Sequence, residues 1–388
     1  MNNINSFGLI LPKETVFASG SFAGLGQRLK RYERVLALCS RSAVRNGLFD
    51  SLTQQDGPEY ILYEYGSGEP TAEAVDAAAA AAREGGCDAV MGLGGGSVMD
   101  TAKAAAAVAV NGGYCEEYLE GVGTGRTLQY DPLPFIAVPT TSGTGAEATK
   151  NAVISNGKKH YKKSMRFDKM MASLVLIDPL LTLSLPKNTT ASSGMDALTQ
   201  LIESYTSIKA NAFTKAICLE ALGRADALIK AWNNGNDVAA RENMSYCAFV
   251  SGVALANSGL GAAHGFASGL GAYTELSHGM ACAILLPYVM RFNIEASANI
   301  PAYAEVGRAL LKAFGRVQPS DELCAARAGE EIITELCRKM EIPSDLSFLD
   351  ISQHTVSDIV SASMGGSMKG NPVLMDAKTA EHFLRRLI

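Results

Sequence analysis

The chain has 388 residues, 47 % hydrophobic and 19 % charged, with a formal net charge of −5. This length predicts two domains with a core that needs no disulfide staples, and the composition excludes a disordered chain. No basic run is present to track a phosphate backbone, which excludes nucleic acid as a partner class.

Up to about Pro186, short β-like runs alternate with helix-like runs. The former are Arg34–Cys39, Tyr60–Tyr63, Ala89–Leu93, Phe135–Val138 and Ser173–Ile177. Between two of them lies Thr71–Gly85, rich in alanine and glutamate and therefore a strong helix former. Strands alternating with helices imply a parallel sheet covered on both faces. After Pro186 apolar residues recur at helical spacing over Gly194–Ser207, Phe213–Asn233, Val238–Ser258, Ile300–Phe314 and Glu322–Met340. The expected fold is an α/β domain over residues 1–186 followed by an all-helical domain over residues 187–388. No internal repeat is present.

No stretch reaches the roughly 18 consecutive apolar residues of a membrane-spanning helix. Met1–Pro12 lacks a charged start followed by an apolar run, so no secretion signal is expected. The cysteines at 39, 87, 115, 218, 247, 282, 324 and 337 show no CxxC spacing and read as reduced, mostly core thiols of a cytoplasmic protein.

Two loops carry the first chemical signal. Gly94-Gly95-Gly96-Ser97 follows an apolar run and precedes the alanine-rich segment Thr101–Val110. Glycines let the backbone approach a pyrophosphate, and the following helix offers free N–H groups and a positive dipole end. Ser97 adds a hydroxyl donor, and Asp100 is read as lying in the first helical turn. A plain tight turn with a capping aspartate fits this run alone equally well. The second loop, Pro139 to Glu147, carries Thr140, Thr141 and Thr144 and again follows an apolar run. Two such loops after two strands of one parallel sheet converge on its carboxyl edge, where ligands bind.

The helical half offers a second group. Of five histidines, His264 and His278 share one glycine-rich segment. Asp196 and Gln200 are spaced i, i+4, hence on one helix face, in a segment read as a helix start. One carboxylate, one amide and two imidazoles are plausible ligands for a divalent ion that polarises a carbonyl or alkoxide oxygen.

Taken in order, Gly94-Gly-Gly-Ser-Val-Met-Asp100 with Lys103, Pro139–Glu147, Asp178-Pro179, Gly194-Met-Asp-Ala197, Gly259–His264, His278-Gly279 with Leu286-Pro287, and Gly370-Asn371-Pro372 resemble the iron-containing (group III) alcohol dehydrogenases over essentially the whole chain. The resemblance implies the dehydroquinate synthase-like fold, with an N-terminal α/β domain binding NAD or NADP, a C-terminal all-helical domain, and an active site in the cleft between them. It implies hydride transfer between the nicotinamide and a small aldehyde or primary alcohol, in a homodimer or larger assembly. It places Gly95, Gly96 and Ser97 on the pyrophosphate, Thr140, Thr141 and Thr144 beside the nicotinamide, and Lys162 on the ribose. The metal positions, for Fe2+ or Zn2+, map to Asp196, Gln200, His264 and His278.

Three positions depart from the family. Gln200 stands where a histidine is usual, which weakens the ligand set because an amide oxygen is the poorer donor. Ser268 replaces a second histidine of the 264 segment, removing the commonest proton shuttle and leaving Ser268, Tyr273 or a water chain to serve. Ser40 and Arg41 follow the first strand where NAD-preferring members carry an aspartate, so a 2′-phosphate meets no repulsion there. Three rivals remain open: a lyase resembling dehydroquinate synthases, a metal-free reductase resembling maleylacetate reductases, in which His264, His278 and Gln200 hydrogen-bond the carbonyl, and a catalytically silent NAD(P)-binding protein.

Overall fold

The computed structural model describes residues 6–388, apart from the side chains of residues 353 and 354. The chain divides into two units. One comprises Ile10–Thr141 and Gly145–Leu183, the other Ser184–Ile388 with residues 6–9 and Ser142–Thr144.

The first unit is α/β. Its strands are β1 (Thr15–Phe17), β2 (Arg34–Ser40), β3 (Glu59–Tyr65), β4 (Ala89–Gly94), β5 (Phe135–Pro139), β6 (Asn151–Asn156), β7 (Tyr161–Arg166) and β8 (Leu174–Ile177). Six form one sheet in the order β1-β8-β5-β4-β2-β3, with every neighbouring pair parallel. β4 and β5 are buried at every residue, which is why they read as unbroken apolar runs rather than as alternations. From β2 the chain passes outward to β3, then returns across β2 to β4 and continues through β5. The direction of winding reverses between β2 and β4, and such a switch point opens a crevice at the carboxyl ends of the two strands. Ser40 ends β2 and Gly94 ends β4.

Two features of this unit differ from the sequence expectation. The helix after β4 runs Gly96–Asn111, so it begins at the glycines themselves rather than at Thr101. Asp100 is thus beyond the first turn, and its Oδ2 instead accepts the Val153 N–H at 2.9 Å. The antiparallel ribbon of β6 and β7 was not expected. Its segment is rich in lysine, with Lys158, Lys159, Lys162 and Lys163, and its only apolar run is the three residues Ala152-Val153-Ile154.

The second unit is helical: Lys187–Thr206, Ala212–Leu222, Asp226–Asn233, Val238–Ser258, Ala262–Tyr273, His278–Glu295, Ile300–Ala313, Glu322–Lys339, Gln353–Ser363 and Ala377–Arg385. Its core draws on nearly all of them, including Leu198, Phe266, Leu285 and Tyr303. The Phe213–Asn233 stretch is two helices rather than one. The segment holding Asp196 is no helix start, because the helix already begins at Lys187. Gly194 looks like a break in sequence but is a packing residue: a Cβ there would lie 2.2 Å from Leu228 Cδ1. Asp196 and Gln200 therefore stand mid-helix, where their polar atoms cap nothing. Among the described residues, no single helix is long and apolar enough to cross a membrane.

Candidate active site

In the α/β unit the two loops lie side by side. β4 and β5 pair through Gly94 and Pro139, and Thr140 N–H donates to the Gly94 carbonyl at 2.8 Å. The first helical bond runs from Met99 N–H to Gly95 O, so the N–H groups of Gly96, Ser97 and Val98 precede the intrahelical ladder and face outward from the helix start. A Cβ on Gly94 would lie 2.7 Å from Val98 Cγ2 and 3.1 Å from Ser40 Cβ, and one on Gly95 would lie 3.1 Å from Thr141 Cγ2. The bare backbone at 94–95 thus brings the ends of β2, β4 and β5 close together around a helix N-terminus, a cradle suited to a diphosphate.

The other expected cofactor residues are more scattered. Thr140 and Thr141 belong to the α/β unit, whereas Thr144 belongs to the helical one. Lys162, on β7, is nearly buried and pairs with Glu69 at 3.0 Å. Ser40 caps the short helix Arg41–Arg45, its Oγ accepting the Ala43 N–H at 3.1 Å. The Arg41 guanidinium stands 3.6 Å from Glu64 in an exposed pair, so its cation is shared.

Beneath the helix start lies a buried polar core that the sequence did not reveal. The Lys103 ammonium donates to the carbonyls of Ala146 (2.7 Å) and Asn151 (2.8 Å) and to Thr149 Oγ1 (2.9 Å), and lies 3.7 Å from Asp100 Oδ1. Burial pushes the Glu147 carboxyl up to about 7, despite the opposing pull of a backbone hydrogen bond and of Lys103. A carboxyl with a raised folded value favours folding below its unfolded range, and that contribution is lost as pH rises through about 7. Glu147→Gln should therefore remove a fall in stability of about 3 kcal/mol between roughly pH 4.5 and 7. Urea midpoints of both proteins across that range check it, and parallel pH profiles would contradict it.

In the helical unit the carboxylate and the two imidazoles of the expected metal set converge. His264 Nε2 lies 3.2 Å from Asp196 Oδ1, and His278 Nε2 lies 4.0 Å from the same oxygen. The imidazole centroids are 5.4 Å apart. His278 opens the helix His278–Glu295, and Gly279 lets that helix approach: a Cβ there would lie 2.5 Å from the Ser192 carbonyl of the Lys187–Thr206 helix. Gln200 is buried, and its Oε1 accepts the Ser251 hydroxyl at 2.6 Å. Ser268, in place of the second histidine, donates to the His264 carbonyl at 3.0 Å.

Two participants were missed in sequence. Cys282, one helical turn after His278, places its Sγ 3.9 Å from His278 Nε2. The donor atoms of Asp196, His264, His278 and Cys282 all fall within 4.8 Å of one another. The i, i+4 spacing from His278 was the available signal, masked by seven other scattered cysteines. The second is Glu203. Its Oε2 lies 2.7 Å from His264 Nδ1, and its carboxylate also accepts the N–H groups of Gly261 (3.0 Å), Ala263 (2.7 Å) and His264 (3.4 Å). With Nδ1–H bound to Glu203, the other nitrogen of His264 turns toward Asp196. A carboxylate behind a ligating imidazole fixes its tautomer and raises its basicity. Its signal was again helical spacing, seven residues beyond Asp196.

The groups also set one another's protonation. Burial alone would raise the Asp196 carboxyl, but the His264 hydrogen bond and the two imidazoles outweigh it and hold it below the usual range. Burial disfavours protonation of His264, yet its acidic neighbours and Cys282 hold it well above its ordinary value. Burial pushes the Cys282 thiol up to about 12. Two imidazoles, a carboxylate and a thiol form a donor set that fits a divalent transition metal.

Known proteins match this chain over nearly its whole length. A profile of iron-containing alcohol dehydrogenases matches residues 12–179, and the C-terminal profile of the Fe-containing alcohol dehydrogenase family matches residues 190–388. Long-chain-alcohol dehydrogenase 1 of Geobacillus thermodenitrificans is 36 % identical over 290 residues, covering 73 % of either chain. The crystal structure of a 1,3-propanediol oxidoreductase superposes with a TM-score of 0.91 at 27 % identity, over 99 % of this chain and 100 % of that one. The sulfoacetaldehyde reductase of Bifidobacterium kashiwanohense, solved in complex with NAD+, gives 0.87 at 26 % identity over 99 % of both. The chain belongs to the iron-containing alcohol dehydrogenase family and is an NAD(P)-dependent alcohol dehydrogenase or aldehyde reductase.

Proposed function

We propose that the two units divide the reaction, with the functional boundary at residues 186/187. The α/β unit holds the dinucleotide through Gly94, Gly95, Gly96 and Ser97, with Ser40, Asp100, Thr140, Thr141 and Lys162 beside it and Thr144 contributed by the helical unit. Asp100 supports this reading: its Oδ1 is buried and has no hydrogen-bond partner among the described residues, an acceptor suited to a sugar hydroxyl. The absence of a carboxylate at Ser40 favours use of NADPH as well as NADH.

The helical unit polarises the carbonyl oxygen of a small aldehyde through the group around Asp196, His264 and His278. The observation that carries this reading is the convergence of their donor atoms within 4.8 Å, together with Cys282. A divalent ion held there, Fe2+ or Zn2+, supplies Lewis acidity when bound. The protein's own part is to hold the donors rigidly, with Glu203 orienting His264, and to hold the substrate oxygen toward them. Likeness to a sulfoacetaldehyde reductase supports short aldehydes, anionic ones included, as the substrate class. The family supports a homodimer or larger, and seven buried thiols suit a cytoplasmic setting.

The test is NADH and NADPH oxidation with a panel of short neutral and anionic aldehydes, before and after chelation. Turnover with both cofactors, loss on chelation and recovery with added metal are expected. Full activity in the chelated protein would instead establish the metal-free reading, in which the imidazoles act as hydrogen-bond donors.

A further inference from the structure

The fourth expected metal position is Gln200, whose amide oxygen accepts the Ser251 hydroxyl at 2.6 Å. One helical turn after His278 stands Cys282, buried and on the same face. Around a tetrahedral ion with nitrogen, oxygen and sulfur ligands at ordinary bond lengths, donor atoms lie about 3.3–3.8 Å apart. The distances found are 3.2 Å for His264 Nε2 to Asp196 Oδ1, 4.0 Å for His278 Nε2 to Asp196 Oδ1, and 3.9 Å for Cys282 Sγ to His278 Nε2. Closing on an ion requires shifts of only a few tenths of an ångström along these edges.

From this geometry we infer that Cys282 has replaced the side chain at position 200 as the fourth protein ligand, giving an Asp196–His264–His278–Cys282 centre that selects zinc over iron. The inference rests on the reading that this group binds a metal at all. Ligation exchanges the thiol proton for the metal: the S–H bond breaks, the proton leaves to solvent and the sulfur pair binds the cation, with no change in oxidation state. A thiolate is a soft, strongly donating ligand. In a mixed nitrogen, oxygen and sulfur set it favours Zn2+ over Fe2+, in the same direction as the general order of divalent affinities. The likeness of the chain to an iron-containing family would then not extend to the metal. With three harder donors and one thiolate on the protein, the site still resembles catalytic zinc centres only if a position stays open for substrate, which requires one donor to yield or the coordination to expand. Gln200 is the residue relieved of the task, and its amide oxygen stays with the Ser251 hydroxyl.

The test uses the full chain, stripped by chelation and reloaded with Co2+ or Zn2+ alone. The Co2+ form should show a sulfur-to-cobalt charge-transfer band in the near ultraviolet, absent from Cys282→Ser and retained in Gln200→Ala. X-ray absorption of the wild-type Zn2+ form should show one sulfur at about 2.3 Å, a measurement that does not depend on any variant folding. Cys282→Ser should weaken Zn2+ binding by at least about tenfold, Gln200→Ala by much less. In a competition with equimolar Fe2+, held reduced, the protein should retain zinc. A metal bound with only nitrogen and oxygen neighbours would overturn the Cys282 assignment while leaving a metal-bearing active site intact. A stripped chain that takes up neither ion would overturn both. Retention of iron over zinc with a sulfur neighbour present would overturn the selectivity alone.

Discussion

His264→Ala is expected to cost at least about a hundredfold in turnover, the scale of losing one polarising group from a catalytic site. It should also lower stability by about 3–5 kcal/mol, because His264 contacts two carboxylates, Asp196 and Glu203, both almost wholly buried. Removing it leaves both buried carboxylates without the ring that each of them contacts. His278→Ala should separate the two effects. His278 is a quarter exposed and only approaches Asp196 at 4.0 Å, so turnover should fall as steeply while the urea midpoint moves little. Steady-state kinetics with the preferred aldehyde and urea unfolding of both variants check this. Near-native turnover in either variant would remove the pair from the chemistry, and equal destabilisation in both would refute the special place of His264.

The second large effect is expected at the glycine turn. Gly95→Val should abolish NADH and NADPH binding in a protein that still folds. The backbone at Gly95 lies at φ −86°, a conformation open to any residue, so valine introduces no backbone strain. What it introduces is bulk: the first added carbon already stands 3.1 Å from Thr141 Cγ2, and the two further methyls must turn into the space in front of the helix. That is the space a diphosphate needs in order to reach the N–H groups of Gly96, Ser97 and Val98. Cofactor fluorescence titration with circular dichroism on the same sample reads both parts. Unchanged affinity would place the dinucleotide elsewhere.

The sequence disclosed the sheet and the loops well, for a physical reason. β4 and β5 are covered on both faces, so their runs are apolar throughout, and each ends in a composition no core strand would tolerate. It singled out Asp196, His264 and His278 by the i, i+4 spacing of Asp196 and Gln200, by the glycine-rich segment shared by the two histidines, and then by resemblance, since single imidazoles carry no period of their own. The β6–β7 ribbon stayed hidden because four lysines interrupt the sequence around its turn and along β7. Gly194 misled for a complementary reason: in isolation it reads as a break, whereas it is the neighbour Leu228, 34 positions away, that demands the missing side chain. Cys282 and Glu203 were hidden by abundance, one among eight cysteines and the other among many glutamates, until the packing of three helices singled them out.

The carboxylate of Glu203 does two jobs with one group, seating the start of the Ala262–Tyr273 helix and aiming the His264 ring. Neither job involves position 200 or position 282. The mount of the centre is therefore independent of which neighbours complete it, and a donor can migrate from one helix to another without the scaffold being rebuilt. Exchanging the side chains at positions 200 and 282 would leave that mount in place.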